Sequence, residues 1–584
     1  MLFARASLTH LKNVPESVQQ FTSLPPSGYT QLIINANSLP SGTMLDTDVC
    51  IIGAGPAGIS LAQAFDGKPF RVILLEGGQL RRNRASQALY KGENVGLHYD
   101  ELDQARSRYF GGSSNCWGGF CRPLDPHDFE SRDWVPASGW PIRRSDLMPY
   151  YQRAHSLLQL GPFEYDPASW QDWVGRPDAR LVPFSRDRVI NVISQLSPPT
   201  RFGRHYRADV ARSRNVSAYL NANVTEIETP DMGTQVTGVR VRTYAGSGFH
   251  VTARHYILAT GGIETPRLLL ASNRRQPAGV GNQNDLGGRY FMDHPRLRSG
   301  TIVFRDPKAH STIYDLHVTL PGAIRAQGVK IAAYFGLTPE TQRAERLGNT
   351  RCYTVSRYVG DDAASYTAVS HLRQAVHGAG SLLERSGADI MNIVRQLPNV
   401  AVLVAGLKFR LPMLARGFSL ETVVEPTPLR DSRVTLGTER DPLGMPRVKV
   451  DWRLGELEKR TIRRTQEILG EEMLRSGAGS VVVNAPGDNE AWPDTLAGCW
   501  HHMGTTRMSD DPRQGVVDAN CRVHGMENLF IAGSSVFPTC GSDMPTITIV
   551  ALALRLADRI TALQTAQAAP TVGRPWRVPA MPVG

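Results

Sequence analysis

Two adjacent histidines, His501 and His502, lie in the segment Trp500-His501-His502-Met503-Gly504-Thr505 near the end of the chain. A neutral imidazole has a reference pKa of about 6.5, so this is a place where proton chemistry could sit. Far upstream, the apolar run Asp48-Val49-Cys50-Ile51-Ile52 breaks into Gly53-Ala54-Gly55-Pro56-Ala57-Gly58. Glycines at 53, 55 and 58 leave the backbone bare where a strand turns into a helix. A pyrophosphate can then reach the unpaired N–H groups and the positive dipole end of that helix. Glu76 ends the next apolar run, Arg71-Val72-Ile73-Leu74-Leu75. A carboxylate about 20 residues past the glycines can accept hydrogen bonds from the two hydroxyls of an adenosine ribose, which favours FAD or NAD over NADP.

Three strand-to-helix units must position these groups. The first runs from 48 through a helix over 59–65 to the strand 71–75. The second is His255-Tyr256-Ile257-Leu258-Ala259-Thr260-Gly261-Gly262 with a helix over 264–271, again a strand breaking at glycines. The third is Asn528-Leu529-Phe530-Ile531-Ala532-Gly533, with an apolar helix over 545–560. Between the second and third units, Ser432–Leu436 and Arg447–Trp452 alternate as strands of a sheet with one covered face, and 455–475 reads as a helix. Residues 379–416 carry Leu, Ile and Met at helical spacing and read as a pair of core or lid helices, with a substrate-access or membrane-touching element as the alternative.

At 584 residues the chain exceeds what a single core usually organises, so two domains are expected. No run of 18 apolar residues is present, and residues 1–20 predict no secretory signal. The formal charge of +11 is scattered and no run of like charge reaches five, which favours a solvated basic surface over a nucleic-acid partner. Seven cysteines at irregular spacing without a CxxC pair argue for reduced thiols in a cytoplasmic protein, and against a disulfide framework or a metal site.

The segments DVCIIGAGPAGISLAQAF, VILLEGG, GGSSNCWGG (111–119), ILATGGIETPRLLLASN (257–273), LGGRYFMDHP (286–295), WHHMGTTRM (500–508) and NLFIAGSSVFP with PTITIVALALRLADRI (528–560) together resemble the glucose-methanol-choline (GMC) oxidoreductases. The resemblance runs from about 46 to 562 and is nearest to the bacterial branch of sugar and polyol dehydrogenases and pyranose oxidases. It implies an α/β (α+β) fold in which a Rossmann-type FAD-binding domain is interwoven with a sheet-based substrate domain. The expected division is an N-terminal arm (1–45), FAD-binding parts at 46–160, 206–300 and 495–565, substrate parts at 161–205 and 301–494, and a tail at 566–584. It also implies oxidation of a small-molecule alcohol at CH–OH by hydride transfer to flavin N5.

Residue by residue, the resemblance assigns Gly53, Gly55, Gly58 and Glu76 to the adenosine diphosphate. It assigns Gly112, Ser113, Asn115 and Cys116 to the loop against the isoalloxazine, and Gly261, Ala532, Gly533, Pro545 and Thr546 to further cofactor contacts. No histidine lies between 111 and 119, so dissociable FAD is expected, with a link through Cys116 as the alternative. His501 matches the family's catalytic histidine. His502 alternates to the opposite face of an extended segment and is expected to support it from behind. The family's second proton-handling residue is replaced by Met544, which can neither cap a helix nor donate. With Pro545 at the first helical turn, Met544 is the expected N-cap position, and Asp543 is expected to take over capping or to face the flavin or a cationic substrate group. Three functions stay open at this point: an alcohol oxidoreductase, a flavoenzyme tailoring a natural product by non-standard oxidation or elimination, and a noncatalytic flavoprotein subunit of an electron-transfer complex. The electron acceptor (oxygen, a quinone or a redox protein) is likewise open.

Overall fold

The computed structural model describes residues 32–231, 233–358 and 415–567. Most of the arm before residue 32, most of the segment 379–416 and nearly all of the tail lie outside the described residues. Residues 415 and 416, read as helical from their spacing, instead open the strand Ala415–Val424.

Among the described residues, one sheet has eight strands, ordered Ile33–Asn35, Val216–Leu220, Val72–Glu76, Met44–Ile52, Gly248–Leu258, Gly238–Arg242 and Asn223–Glu228, with Leu529–Ile531 also on Gly248–Leu258. Its central strands are parallel. Val49, Cys50, Ile51 and Ile52 are all buried, as a parallel strand covered on both faces requires. The strand Ile33–Asn35 extends the sheet, so this part of the expected arm is built into the fold. The register aligns Ile52 with Leu75 and Leu258, and Leu258 with Ile531. The loops that follow these four strands therefore leave the sheet at one edge, the place where open α/β sheets bind ligands.

A second sheet of nine strands is antiparallel and includes Pro295–Phe304, Ala415–Val424, Thr350–Tyr358, Val329–Leu337 and Val189–Leu196. The helix Glu456–Arg475 covers it with Ile462, Ile468, Leu469 and Met473. The hairpin Arg433–Arg440 and Pro446–Asp451, expected from alternation, does not join that sheet. It pairs with Gly92–Asn94 and packs Val434 and Val448 around Ile263. The C-terminal helix Thr546–Gln567 runs past the expected end at 560 and packs on Pro56–Phe65 and Arg144–Leu157.

Candidate active site

The glycine loop after Met44–Ile52 has a separate physical reason for each glycine. Gly53 sits at φ +105°, and a Cβ there would lie 2.6 Å from the Ala259 carbonyl oxygen. A Cβ on Gly58 would lie 1.9 Å from the Gly53 oxygen, so Gly58 packs helix on loop. A Cβ on Gly55 would meet nothing within 4 Å, and Gly55 lines a cavity of about 540 Å³. That open backbone at the first turn of Pro56–Phe65 fits the pyrophosphate of FAD. Gly112, at φ +53°, rests against it: a Cβ there would lie 2.9 Å from the Gly55 Cα.

Glu76 lines the same cavity, and its two oxygens accept the backbone N–H groups of Ala54 (3.0 Å) and Gly78 (2.7 Å). Each oxygen keeps a second lone pair, so the carboxylate shapes the loop and can still accept from a ribose. Ser113, Cys116, Gly261, Ala532, Gly533, Pro545 and Thr546 also line the cavity. Gly58 and Asn115, expected to touch the cofactor, do not line it. The Asn115 amide donates instead to the Phe110 carbonyl at 3.0 Å.

The same cavity reaches His501, His502, Trp500, Arg351, Tyr353 and Met544. His501 is placed by a two-residue strand, Ala497–Gly498, which pairs with the start of Pro295–Phe304 and sets Gly498 opposite Pro295. That register brings His294, one residue before the strand, onto His501: their Nδ1 atoms are 3.0 Å apart. His294 is fully buried, and its Nε2 lies 2.8 Å from the Gly541 carbonyl oxygen. A carbonyl only accepts, so Nε2 of His294 carries the proton and its Nδ1 is a lone pair. His501 then donates from Nδ1, which leaves its Nε2 as a lone pair. Burial pushes the His294 pKa down to about 3, helped by the charge of Arg351. Burial also holds His501 well below the usual imidazole range, with His294 and Arg351 adding to the effect.

Asp293 holds the backbone of this turn. Its carboxylate accepts the N–H groups of Trp500 (2.9 Å) and His501 (2.7 Å) and the hydroxyl of Tyr99. Trp500 has φ +62°, a left-handed conformation that is costly for a bulky side chain and persists where neighbours impose it. His502 points to this network: its Nε2 lies 3.0 Å from the Tyr99 oxygen, and its ring stacks on Phe291. His501 and His502 therefore have different partners, although both line the cavity.

Two expectations for the start of the last helix need correction. The Pro545 carbonyl accepts the Ile549 N–H at 2.9 Å and the helix begins at Thr546, so Pro545 rather than Met544 occupies the capping position. Asp543 neither caps nor lines the cavity. It accepts the Tyr334 hydroxyl at 2.6 Å and pairs with the partly buried Arg122 at 3.6 Å and the buried Arg351 at 3.5 Å, and it is the carboxylate that balances the charge of Arg351. Met544 does line the cavity, packed against the cluster of Phe120, Tyr334 and Tyr353.

His294, Asp293, Tyr99 and Arg351 were missed in the sequence. Asp293 and His294 stand in the LGGRYFMDHP segment that carries the resemblance, but nothing local says that they meet residues near 500.

The fold and this cavity define an FAD-dependent oxidoreductase. Residues 48–279 match the family model of FAD dependent oxidoreductases, and residues 428–553 match that of the GMC oxidoreductases. The chain thus carries a GMC oxidoreductase domain in its C-terminal part and an FAD dependent oxidoreductase domain in its N-terminal part. It is 25% identical to a 6'''-hydroxyparomomycin C oxidase of Streptomyces lividus, covering 88% of this chain and 91% of that protein. It is 24% identical to a 2-methyl-1,2-propanediol dehydrogenase of Mycolicibacterium austroafricanum, covering 88% and 95%. The formate oxidase of Aspergillus oryzae shares the fold with a TM-score of 0.52 at 18% identity, over 90% of this chain and all of that one.

Proposed function

We propose that this protein oxidises the CH–OH group of a small alcohol, a sugar or polyol, with His501 as the general base. The observation that carries the reading is the Nε2 lone pair of His501, fixed by His294, in the same cavity as the glycine grip. Bound FAD supplies the hydride acceptor at N5. Neutral His501 takes the hydroxyl proton at Nε2 while its Nδ1–H stays donated to His294, so the ring cannot turn without losing that bond. Asp293 fixes the height of the ring through the backbone, and Tyr99 and His502 hold Asp293 in place. Pro545 and Thr546 line the cavity, so the positive dipole end of Thr546–Gln567 faces it and would favour negative charge on a group held there.

The sugar or polyol class draws support from the names of the relatives, a propanediol dehydrogenase and a hydroxyparomomycin oxidase among them. All seven cysteines are unpaired, which supports a reducing compartment such as the cytoplasm. No helix among the described residues is long and apolar enough to cross a membrane. The test is an anaerobic screen of sugars, polyols and simple alcohols against the holoenzyme. Bleaching of flavin absorbance by at least one, strongly slowed in His501→Ala with FAD retained, is the expected result. A flavin that none of them reduces sinks the proposal.

A further inference from the structure

Arg351 and Tyr353 stand two residues apart on the strand Thr350–Tyr358, which places them on one face. Both are buried, at 0% and 2% exposure, and both line the cavity that holds His501. Nε and Nη1 of Arg351 and the hydroxyl of Tyr353 have no hydrogen-bond partner among the described residues. Asp543 balances the charge of Arg351 across 3.5 Å, but it does so without a hydrogen bond and shares itself with Arg122 and Tyr334. Buried polar groups in native proteins are almost always satisfied, by protein, water or ligand. Two unsatisfied side chains side by side in the wall of a substrate cavity therefore point to a ligand that satisfies them. A guanidinium offers donors only, and a phenol offers one more, so the missing partner is an acceptor oxygen. The thioether of the neighbouring Met544 is only a weak acceptor, and neither group bonds it.

We propose that Arg351 and Tyr353 form a second oxygen subsite, and that the substrate carries, besides the hydroxyl that is oxidised, another acceptor oxygen as a hydroxyl or a carboxylate. The proposal rests on the alcohol-oxidation reading. It makes Arg351 and Tyr353 selectivity residues that favour polyols or hydroxy acids over monohydric alcohols.

The test compares 2-propanol, propane-1,2-diol and lactate, which share a carbinol carbon and differ in the second oxygen. Anaerobic flavin reduction and FAD content are measured for the wild-type holoenzyme, Tyr353→Phe and Arg351→Lys. Tyr353→Phe keeps the ring and removes a hydroxyl that bonds nothing in the protein, so it tests the proposal even if Arg351→Lys fails to fold. The wild type is expected to prefer the diol or lactate to 2-propanol by ~10-fold or more, because a site built to bond an oxygen rejects the analogue that lacks it. Tyr353→Phe should shrink that ratio several-fold, and a larger drop for the diol or for lactate identifies a hydroxyl or a carboxylate as the natural oxygen. Equal reduction by all three compounds in the wild type overturns the subsite alone. So does a loss of FAD in the variants with selectivity unchanged, which would assign these residues to the flavin. A flavin reduced by no alcohol overturns the alcohol reading and the subsite with it.

Discussion

The Nδ1 atoms of His294 and His501 lie 3.0 Å apart, so exactly one proton must sit between them. The Gly541 carbonyl on the far side of His294 decides where that proton belongs. A main-chain oxygen thus fixes, through one imidazole, which nitrogen of the next one is basic.

This relationship separates two kinds of variant. His501→Ala removes the base and should lower the rate of flavin reduction by about 10²–10⁴ with FAD still bound. His294→Leu leaves the base in place but frees its tautomer and its rotation, and should cost ~10-fold or more in the same rate. His294→Asn, whose amide oxygen can still accept from His501, should recover part of the loss. Equal rates in His294→Leu and the wild type would show that the pair is only packing.

Gly55 and Gly58 are three residues apart, yet their substitutions should fail differently. Gly55→Val adds a side chain whose Cβ meets no protein atom, so the chain should fold but lose FAD, read as a low ratio of flavin to protein absorbance. A Cβ at Gly58 would fall 1.9 Å from the Gly53 oxygen, so Gly58→Ala should lower the thermal stability of the protein even without cofactor. Full FAD content in Gly55→Val would move the pyrophosphate elsewhere.

Asp543 is the residue whose role changes most between sequence and structure. Arg351 has no other carboxylate partner among the described residues, so Asp543→Asn leaves a buried guanidinium uncompensated. The expected cost is about 3–5 kcal/mol, seen in thermal unfolding and in soluble yield. A variant of unchanged stability that loses only cationic substrates would restore the substrate-facing role.

What was legible in the sequence was local. Strand, glycine turn and helix occupy consecutive residues at 44–65 and 248–271, a longer connection joins the strand 529–531 to the helix 546–567, and periodicity and breakers announce all of them. Helix 456–475 was legible for the same reason. The partners of His501 were not, because they depend on the two-residue strand Ala497–Gly498 finding Pro295–Phe304. A strand that short has no periodicity to read. The hairpin around 433–451 shows the complementary failure: alternation says that one face is covered, but not that Ile263 and Gly92–Asn94 do the covering.

The pH dependence of flavin reduction follows from the same burial. Protonated His501 cannot act as a base, so the rate should fall only as pH drops through its pKa. Burial, followed by the neighbouring His294 and Arg351, moves that pKa well below 6.5, and His294 is moved to about 3 by burial and Arg351. Both shifts favour the neutral rings, and both carry the inactivating protonation to more acid pH. The rate of reduction, measured anaerobically at saturating substrate, should therefore stay nearly level from pH 8 down to about pH 6, without the titration of an ordinary histidine. Arg351→Met removes one of the charges that depress His501 and should move the acid limb upward. An acid limb centred at 6.5 in the wild type would mean that His501 is open to water when the enzyme turns over, and that the lock formed with His294 does not persist in the working state.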